Sequence, residues 1–247
     1  MSAGRDGHST DVDSSGAARG AVSVLTVDGP SGAGKGTLAV RLSGALGFGL
    51  LDSGALYRLT ALKALRHDIA LDDAAAVARL ALALNVSFRL GDGDPPVLAT
   101  LDGENVDQEL RSERCGDAAS RVAAHAAVRD ALLARQHAFR SAPGLVADGR
   151  DMGTVVFPDA RLKLFLTASA QERAHRRYKQ LIAKGISASL YGLCEEIKER
   201  DRRDTERLIA PLKPAEDAVI IETSDVPLDV VFERAMKLVC ERFSYKA

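Results

Sequence analysis

The chain has 247 residues, which is enough to bury a sizeable core as one α/β domain or as one domain with an insertion. Its formal net charge of -1 excludes the bulk positive field that attracts nucleic acid. Hydrophobic residues make up 46% and charged residues 27%, as in ordinary soluble proteins, and no apolar run approaches the roughly 20 residues that span a bilayer.

Two further features indicate the cytoplasm. Residues 1–20 are rich in Gly, Ser, Ala and Asp and have no apolar centre, so we expect a disordered tail and not a secretory signal. The three cysteines, Cys115, Cys194 and Cys240, are far apart and show no paired spacing, which is typical of free thiols in a reducing compartment.

The first predicted elements are a strand, a glycine-rich turn and a helix start within residues 22–37, VSVLTVDGPSGAGKGT. Gly29, Gly34 and Lys35 match the phosphate-loop spacing G-x-x-x-x-G-K. Glycines let the backbone N–H groups converge on an anion, and the helix adds its positive dipole end. We expect Lys35 to face solvent and reach the outer phosphates. A chance glycine-rich turn is the alternative, but strand, loop, lysine and helix occur in the required order.

The residue after Lys35 departs from the general motif. Gly36 stands where other phosphate loops have Ser or Thr, and Thr37 follows one place later. A direct hydroxyl–magnesium bond of the usual kind is therefore not expected. The ending G-A-G-K-G-T resembles the loop of nucleoside monophosphate kinases, which favours small-molecule phosphoryl transfer over a GTPase switch.

Five short apolar runs recur along the chain, with helical stretches between them. Such runs suit a parallel sheet covered on both faces, and the alternation predicts a doubly wound α/β core with right-handed crossovers. Ligands bind outside the carboxyl ends of the strands in such sheets, so the polar residues after each run are candidate site residues. The predicted strands are residues 23–27, 48–51, 145–147, 162–167 and 218–222.

The span of residues 85–120 breaks this rhythm. NVSFRL and VLATLDG look like hairpin strands joined by the turn-rich GDGDPP, and ENVDQELR is predicted to begin a helix. We expect a small inserted subdomain. A long decorated loop is the alternative, disfavoured because structureless loops of this length are rare.

Polar residues follow the second and third predicted strands. Ser53 suits a helix N-cap, and Arg58 in the same stretch is either a ligand residue or solvated. Asp148 can organise hydrated magnesium near the phosphate loop. Arg150 can grip an acceptor phosphate with two hydrogen bonds. A charged turn with an internal ion pair is the alternative for residues 148–151.

Two charged helices carry further candidates. Arg200, Asp204 and Arg207 share one helix face and suit a phosphate plus a ribose hydroxyl, although spacing alone favours an ordinary surface helix. The other helix is either a lid over the transferring phosphoryl group or an exposed basic helix. Its arginines are Arg173, Arg176 and Arg177.

Four segments together resemble the bacterial cytidylate kinases: GPSGAGKGT, LLDSGALYR, VADGRDMGTVVFPDA and EIKERDRRD. The resemblance extends from residue 22 to about residue 240. It implies an α/β P-loop kinase: a doubly wound, five-stranded parallel sheet with an inserted monophosphate-binding subdomain and a short lid. The activity it implies is transfer of the ATP γ-phosphate to CMP or dCMP, with Mg²⁺, in pyrimidine nucleotide metabolism.

This resemblance also divides the chain. It implies a kinase core of residues 21–84 and 121–247, with the lid at about residues 173–185. Residues 85–120 would form the CMP-binding insertion. Residues 1–20 lie outside the region of resemblance. We expect a cytoplasmic monomer that acts on small nucleotides, with no nucleic-acid or membrane partner.

The resemblance assigns roles to individual residues. Those that bind ATP are Gly29, Pro30, Ser31, Gly32, Ala33, Gly34, Lys35, Gly36 and Thr37. Those that bind CMP are Ser53, Arg58 and Arg150 near the phosphate, Ser120, Arg129 and Asp151 at cytosine, and Arg200, Asp204 and Arg207 at the ribose and phosphate. Catalytic roles fall to Lys35, Arg150, Arg176 and Arg207. No direct protein ligand to magnesium is expected, and the residues that would hold it indirectly are Thr37 and Asp148.

The expected mechanism is direct transfer between two anionic groups. The sequence has no nucleophilic Ser, Cys or His constellation, and the CMP phosphate is already ionised at neutral pH, so no strong general base is needed. Catalysis then depends on positioning and charge neutralisation. Three alternatives remain: another small-molecule kinase acting on UMP, AMP or a hydroxyl acceptor; a non-catalytic, nucleotide-gated regulator; and a nucleic-acid module, which the net charge disfavours.

Overall fold

A five-stranded parallel sheet forms the centre of the molecule. The structure, a computed structural model, describes residues 22–90, 97–183 and 185–243. The five strands pair in parallel in the order β2-β6-β1-β7-β8, so the predicted doubly wound α/β core is confirmed. In chain order the strands are β1 (Ser23–Asp28), β2 (Gly49–Asp52), β3 (Val86–Leu90), β4 (Val97–Leu101), β5 (Glu104–Asn105), β6 (Gly144–Asp148), β7 (Leu162–Thr167) and β8 (Val219–Glu222).

Helices cover both faces of this sheet. Val24 and Leu25 are consecutive on β1 and belong to different apolar clusters, because successive strand residues point to opposite faces. A short π-helical turn, Met152–Val156, follows β6. In chain order the α-helices are α1 (Lys35–Leu46), α2 (Ser53–Arg66), α3 (Ala74–Leu82), α4 (Asp107–Leu110), α5 (Glu113–Val122), α6 (Ala126–His137), α7 (Ala170–Ala183), α8 (Leu190–Glu206) and α9 (Leu228–Phe243).

Strands β3, β4 and β5 make a second, antiparallel sheet in the predicted insertion. The sequence wrongly assigned ENVDQELR entirely to the start of a helix. Glu104 instead pairs with Leu101, and the helix begins only at Asp107. Asp102 and Gly103 both have positive φ, 52° and 89°, so the chain reverses in a two-residue turn that returns the next residues to β4.

Some sequence predictions lie outside the described residues. These are the disordered tail of residues 1–20 and the turn GDGDPP of residues 91–96. Residue 184, within the predicted lid, is also outside them. The domain boundaries and the lid stay predictions.

Candidate active site

The phosphate loop, residues 29–37, leaves β1 and turns directly into α1. Its glycines adopt conformations that other residues rarely reach, with φ of 142° at Gly29, 79° at Gly32 and 91° at Gly34. A Cβ on Gly29 would lie 2.2 Å from the carbonyl oxygen of Leu166, so only glycine fits against β7. Gly34 is the N-cap of α1 and has no side chain to cap it. The loop therefore presents amides and a positive helix end at the sheet edge.

Lys35 is buried in this loop and does not face solvent as the sequence predicted. It is 6% exposed, and its Nζ donates to the carbonyl oxygen of Pro30 at 2.8 Å. Burial, together with repulsion from Arg150 and Arg200, lowers the pKa of Lys35 from 10.5 to about 7. The prediction failed because the folded loop places the carbonyl oxygen of Pro30 within hydrogen-bond distance of Lys35 Nζ. A bound anion would restore the charged form.

Asp148 ends β6 beside the loop. Desolvation raises the pKa of Asp148 to about 7, although the nearby Lys35 acts to lower it, and repulsion from Asp52 on the neighbouring strand adds to the rise. A Cβ on Gly36 would lie 3.3 Å from Oδ2 of Asp148, so the absent side chain leaves this carboxyl open to the loop. Among the described residues no group of three or more His, Cys, Asp or Glu could hold a metal. Any cation here would depend on few protein ligands.

A pocket adjoins the loop, between α2, α5, α8 and the segment after β6. It brings together residues that are more than 150 positions apart in the sequence, such as Ser53 and Arg207. We call it the arginine pocket. The predicted substrate residues that line it are Ser53, Ser120, Arg129, Arg150, Asp151, Arg200, Asp204 and Arg207.

Arg58 is the predicted substrate residue that does not line this pocket, but it lies next to it. Its Nη1 donates to the carbonyl oxygen of Leu110 at 2.7 Å. A Cβ on Gly116 would lie 3.2 Å from guanidinium nitrogens of both Arg58 and Arg200. Sequence reasoning missed Gly116, and its only signal was a glycine inside a helical stretch. Because Gly116 has no side chain, the guanidinium groups of Arg58 and Arg200 can both pack against α5 at this position.

Asp151 lies between two arginines that also line the pocket. It is 2% exposed and forms an ion pair with Arg129, while Nη2 of Arg207 lies 3.5 Å from its Oδ1. The guanidinium of Arg129 in turn lies over the ring of Tyr57, 5.8 Å from its centroid. The buried carboxylate is therefore held by two cations.

Asp204 is the second carboxylate of the pocket, and it forms an ion pair with Arg150. Its Oδ2 accepts from Nε of Arg150 at 3.1 Å, and its Oδ1 accepts from the hydroxyl of Ser120 at 3.0 Å. Burial alone would raise the pKa of Asp204, but Arg150, Arg200 and Arg207 hold it below its usual value. Burial, Arg150 and Arg58 in turn lower the pKa of Arg200 to about 9.

Positive charge exceeds negative charge in and beside the pocket. Two carboxylates, Asp151 and Asp204, face five arginines. Nη1 of Arg200 also lies 3.3 Å from Oγ of Ser31 in the phosphate loop. The pocket is thus suited to an anion, and that anion would lie next to the loop.

The predicted lid arginines make three different sets of contacts. Arg173 is buried, pairs with Asp201 on α8 and donates to the carbonyl oxygen of Ser31 at 3.0 Å. Arg176 pairs with Glu172 at 2.9 Å and donates to the backbone of Thr223. Arg177 contacts the predicted insertion, with its Nε 2.6 Å from the carboxylate of Glu113. The catalytic role of Arg176 stays a prediction.

Gln136 supports a predicted substrate residue and was missed from the sequence. The hydroxyl of Ser53 donates to its Oε1 at 2.8 Å, and Gln136 is 1% exposed. The two residues are 83 positions apart, so no local pattern links them. The prediction that Ser53 is the N-cap of α2 is wrong, because Asp52 caps the helix by accepting from the amide of Ala55 at 2.9 Å. The hydroxyl of Ser53 is instead held by the Gln136 amide at the start of α2.

The three cysteines are all free, as predicted. Within the described part of the chain, no helix combines the length and apolar character that crossing a membrane requires.

Known proteins resemble this chain along most of its length. A family model described as cytidylate kinase matches residues 25–241. A curated cytidylate kinase of Shewanella putrefaciens is 54% identical over 221 residues, covering 90% of this chain and 96% of the relative. The cytidylate kinase of Pseudomonas aeruginosa is 56% identical over 223 residues, with 90% and 97% covered. That of Paraburkholderia phymatum is 55% identical over 214 residues, with 87% and 91% covered.

Proposed function

The chain belongs to the cytidylate kinase family, and we propose that it transfers the γ-phosphate of ATP to CMP or dCMP, giving CDP or dCDP. It is therefore an ATP-dependent phosphotransferase with a phosphate group as acceptor. The observation that carries the proposal is the juxtaposition of two anion sites at one sheet edge. The phosphate loop and the arginine pocket meet where Arg200 lies 3.3 Å from Ser31. Two phosphates bound there would be neighbours, as direct transfer requires.

On the donor side, the loop from Gly29 to Thr37 would hold the ATP phosphates with its amides. Lys35 would leave the Pro30 carbonyl and stabilise charge on the outer phosphates during transfer. The low pKa of Lys35 supports this, because a bound anion would offset the burial and the arginine repulsion that disfavour its ammonium form. The nearby Arg176 would screen the transferring group.

Magnesium is part of this proposal. The site fits the ion through the carboxyl of Asp148, which stays open to the loop because position 36 has no side chain. Thr37, which is exposed on the first turn of α1, would reach the ion through a water molecule. Bound with ATP, the ion would neutralise phosphate charge. Its direct ligands would be phosphate oxygens and water, and Asp148 and Thr37 would hold those water molecules.

On the acceptor side, Arg58, Arg150 and Arg207 would hold the CMP phosphate, with Ser53 at the start of α2 donating a hydroxyl. Arg200 and Asp204 would contact the ribose and the phosphate. The excess of arginine over carboxylate in the pocket supports an acceptor with two negative charges. No general base is needed, since the attacking oxygen is already ionised.

Cytosine would be read by Ser120, Arg129 and Asp151. An ionised carboxylate only accepts hydrogen bonds, so Asp151 suits the N4 amine of cytosine. A guanidinium only donates, so Arg129 suits its N3 and O2. Uracil presents the opposite groups at N3 and O4. Buried mismatches of this kind discriminate by up to about 10⁴-fold.

The remaining proposals concern the domain organisation, the oligomeric state and the cellular compartment. We propose that residues 85–120 form a CMP-binding insertion and residues 173–185 a lid, within a kinase core of residues 21–84 and 121–247. The enzyme would act as a cytoplasmic monomer. Three free cysteines and a net charge of -1 support a reducing compartment and a small-molecule substrate.

The test is a coupled assay of ADP formation with CMP, dCMP, UMP and AMP as acceptors. We expect efficient turnover with CMP or dCMP, and far lower kcat/KM with UMP and AMP. Equal rates with all four acceptors would contradict the base-reading part of the proposal. ATP binding without CMP-dependent ADP formation would favour a nucleotide-gated regulator instead.

A further inference from the structure

The segment from Gly149 to Gly153 is attached to β1 at both of its ends. The amide of Gly149 donates to the carbonyl oxygen of Val27 at 3.1 Å. The amides of Met152 and Gly153 donate to the carboxylate of Asp28. The two pocket residues Arg150 and Asp151 lie between these attachments. The segment therefore has its position set by β1, the strand that leads into the phosphate loop.

Asp28 uses both carboxylate oxygens for this contact. Its Oδ1 accepts from the amide of Met152 at 2.8 Å, and its Oδ2 accepts from the amide of Gly153 at 2.8 Å. The residue is 5% exposed, so water does not compete for the same oxygens. A carboxylate is the side chain of this length that offers two acceptors at once. Adjacent amides at the start of the π-helical turn are thereby paired.

Close approach at Gly153 fits the same arrangement. A Cβ there would lie 2.9 Å from Oγ1 of Thr26 and 3.0 Å from the side chain of Lys163. The backbone of the segment thus lies directly against β1 and β7. A larger residue at position 153 would push the segment away from the face of the sheet that carries Asp28.

We propose that Asp28 is a positioning residue that aligns the arginine pocket with the phosphate loop, an inference that rests on the proposed function. Asp28 immediately precedes Gly29, so one side chain joins the start of the loop to the segment that carries Arg150 and Asp151. It sets where the acceptor is held relative to the donor, without contacting either nucleotide.

The free-energy cost of burying the charged carboxylate of Asp28 supports a role in alignment. Burial raises the pKa of Asp28 to about 6, although the two backbone hydrogen bonds act to lower it. Burial thus disfavours the charge, and the two amide hydrogen bonds, with a smaller contribution from Lys35, partly offset that cost. What the carboxylate contributes is a fixed direction for two amides, which an apolar residue could not provide.

The test compares Asp28→Asn with a matched control on the same strand. A carboxamide keeps one acceptor and turns an NH₂ toward the other amide, so the segment should shift. We expect KM for CMP to rise and kcat to fall, each by about 10- to 100-fold, since small misplacements are costly for transfer. The dissociation constant of ATP measured without CMP should change by less than about twofold, because the amides of the phosphate loop are untouched.

Thr26→Val serves as the control. Oγ1 of Thr26 is buried and has no hydrogen-bond partner within the described residues, so its loss tests a general disturbance of β1. We expect kinetic constants near those of the unchanged protein. Hydrogen exchange should also become faster at the amides of residues 152–156 in Asp28→Asn, and remain unchanged in Thr26→Val.

Gly153→Ala provides a second route if Asp28→Asn does not fold. It leaves the carboxylate in place and displaces the same segment, so it should reproduce the CMP-selective loss. The proposal is overturned if a folded Asp28→Asn, or Gly153→Ala in its place, keeps normal KM for CMP, or if ATP binding weakens as much as CMP binding. Failure of the proposed function is distinct, since the unchanged protein would then show no CMP-dependent ADP formation. The exchange measurement would still test the positioning.

Discussion

The phosphate loop and the arginine pocket are neighbouring anion sites built by different means. The loop is made of backbone: its glycines have positive φ, and its amides and helix end need no side-chain partner. The pocket is made of side chains, and three of its arginines pair with its two carboxylates: Arg129 and Arg207 with Asp151, and Arg150 with Asp204.

This difference separates what each site can tolerate. A backbone site keeps its shape when a nearby side chain is removed, so a substitution there should affect chemistry more than folding. A site of buried ion pairs depends on every member, because removal of one partner leaves an uncompensated charge. Substitutions in the pocket should therefore affect both CMP use and stability.

The largest expected effect is that of Lys35→Met. Loss of the ammonium removes charge stabilisation from the transferring phosphates, and we expect kcat to fall by about 10²- to 10³-fold. Stability should be retained, since a thioether replaces a buried cation at little cost. The measurement is steady-state kinetics beside thermal unfolding.

Lys63→Met is the control for this variant. Lys63 is a partly buried lysine of α2 that pairs with Asp102 at 3.0 Å and belongs neither to the phosphate loop nor to the arginine pocket. It should keep kcat within a few-fold of the unchanged protein. A normal kcat in Lys35→Met would remove the phosphate-loop assignment, and with it the comparison.

Arg150→Ala should show the dependence of the pocket on its arginines. We expect kcat/KM for CMP to fall by about 10- to 100-fold, with KM for ATP much less affected. Stability should also fall, because Asp204 loses the contact at 3.1 Å. Arg150→Lys should rescue only partly, since an ammonium makes no two-pronged contact.

Arg203→Ala is the control for that experiment. Arg203 is on the same helix as Asp204 but pairs with Asp117, outside the pocket. It should leave KM for CMP unchanged. If Arg150→Ala weakened ATP and left CMP untouched, Arg150 would belong to the donor side.

Asp151→Asn should narrow the preference for CMP over UMP by about tenfold or more. A carboxamide can turn its NH₂ toward O4 of uracil, while the N4 amine of cytosine meets a weaker acceptor. CMP efficiency should fall at the same time. Because Arg129 and Arg207 lose a buried counter-ion, the free energy of unfolding should drop by about 3 kcal/mol or more.

A variant that breaks a different buried ion pair separates the effect on base preference from the effect on stability. Asp201→Asn removes the partner of the buried Arg173 outside the pocket. It should lower stability without changing the ratio of kcat/KM for CMP to that for UMP. An unchanged ratio in Asp151→Asn as well would mean that Asp151 only pairs arginines and does not read the base.

The smallest expected effect is proton uptake when ATP binds. With its pKa lowered to about 7, Lys35 is largely neutral at pH 8 before ATP binds. Bound phosphates favour the ammonium and raise that pKa, so binding at pH 8 should take up a fraction of a proton. At pH 6 Lys35 is already charged, and its contribution should vanish.

Calorimetry in buffers of different ionisation enthalpy measures this uptake. Lys35→Met should remove the part of it that belongs to the lysine and leave any part from Asp148. Release of protons at pH 8, or uptake of equal size in Lys35→Met, would show that the lysine is charged before ATP arrives.

Much of the molecule was predictable from the sequence. The apolar runs that became β1, β2, β6, β7 and β8 were recognisable because a strand buried on both faces must be apolar throughout. The phosphate loop was equally clear, since its conformations restrict three positions to glycine. These features depend on short stretches of chain, so local pattern is enough to identify them.

Only the tertiary structure decided how the charged residues are used. From spacing alone, the face that carries Arg200, Asp204 and Arg207 looked like an ordinary surface helix. In the fold it lies against Ser120 and Arg150, which come from distant parts of the chain. The burial of Lys35, the support of Ser53 by Gln136 and the hold of Asp28 on Met152 and Gly153 were also absent from local pattern. A charged side chain has no fixed burial of its own, because the partners brought to it by folding determine whether it can leave water.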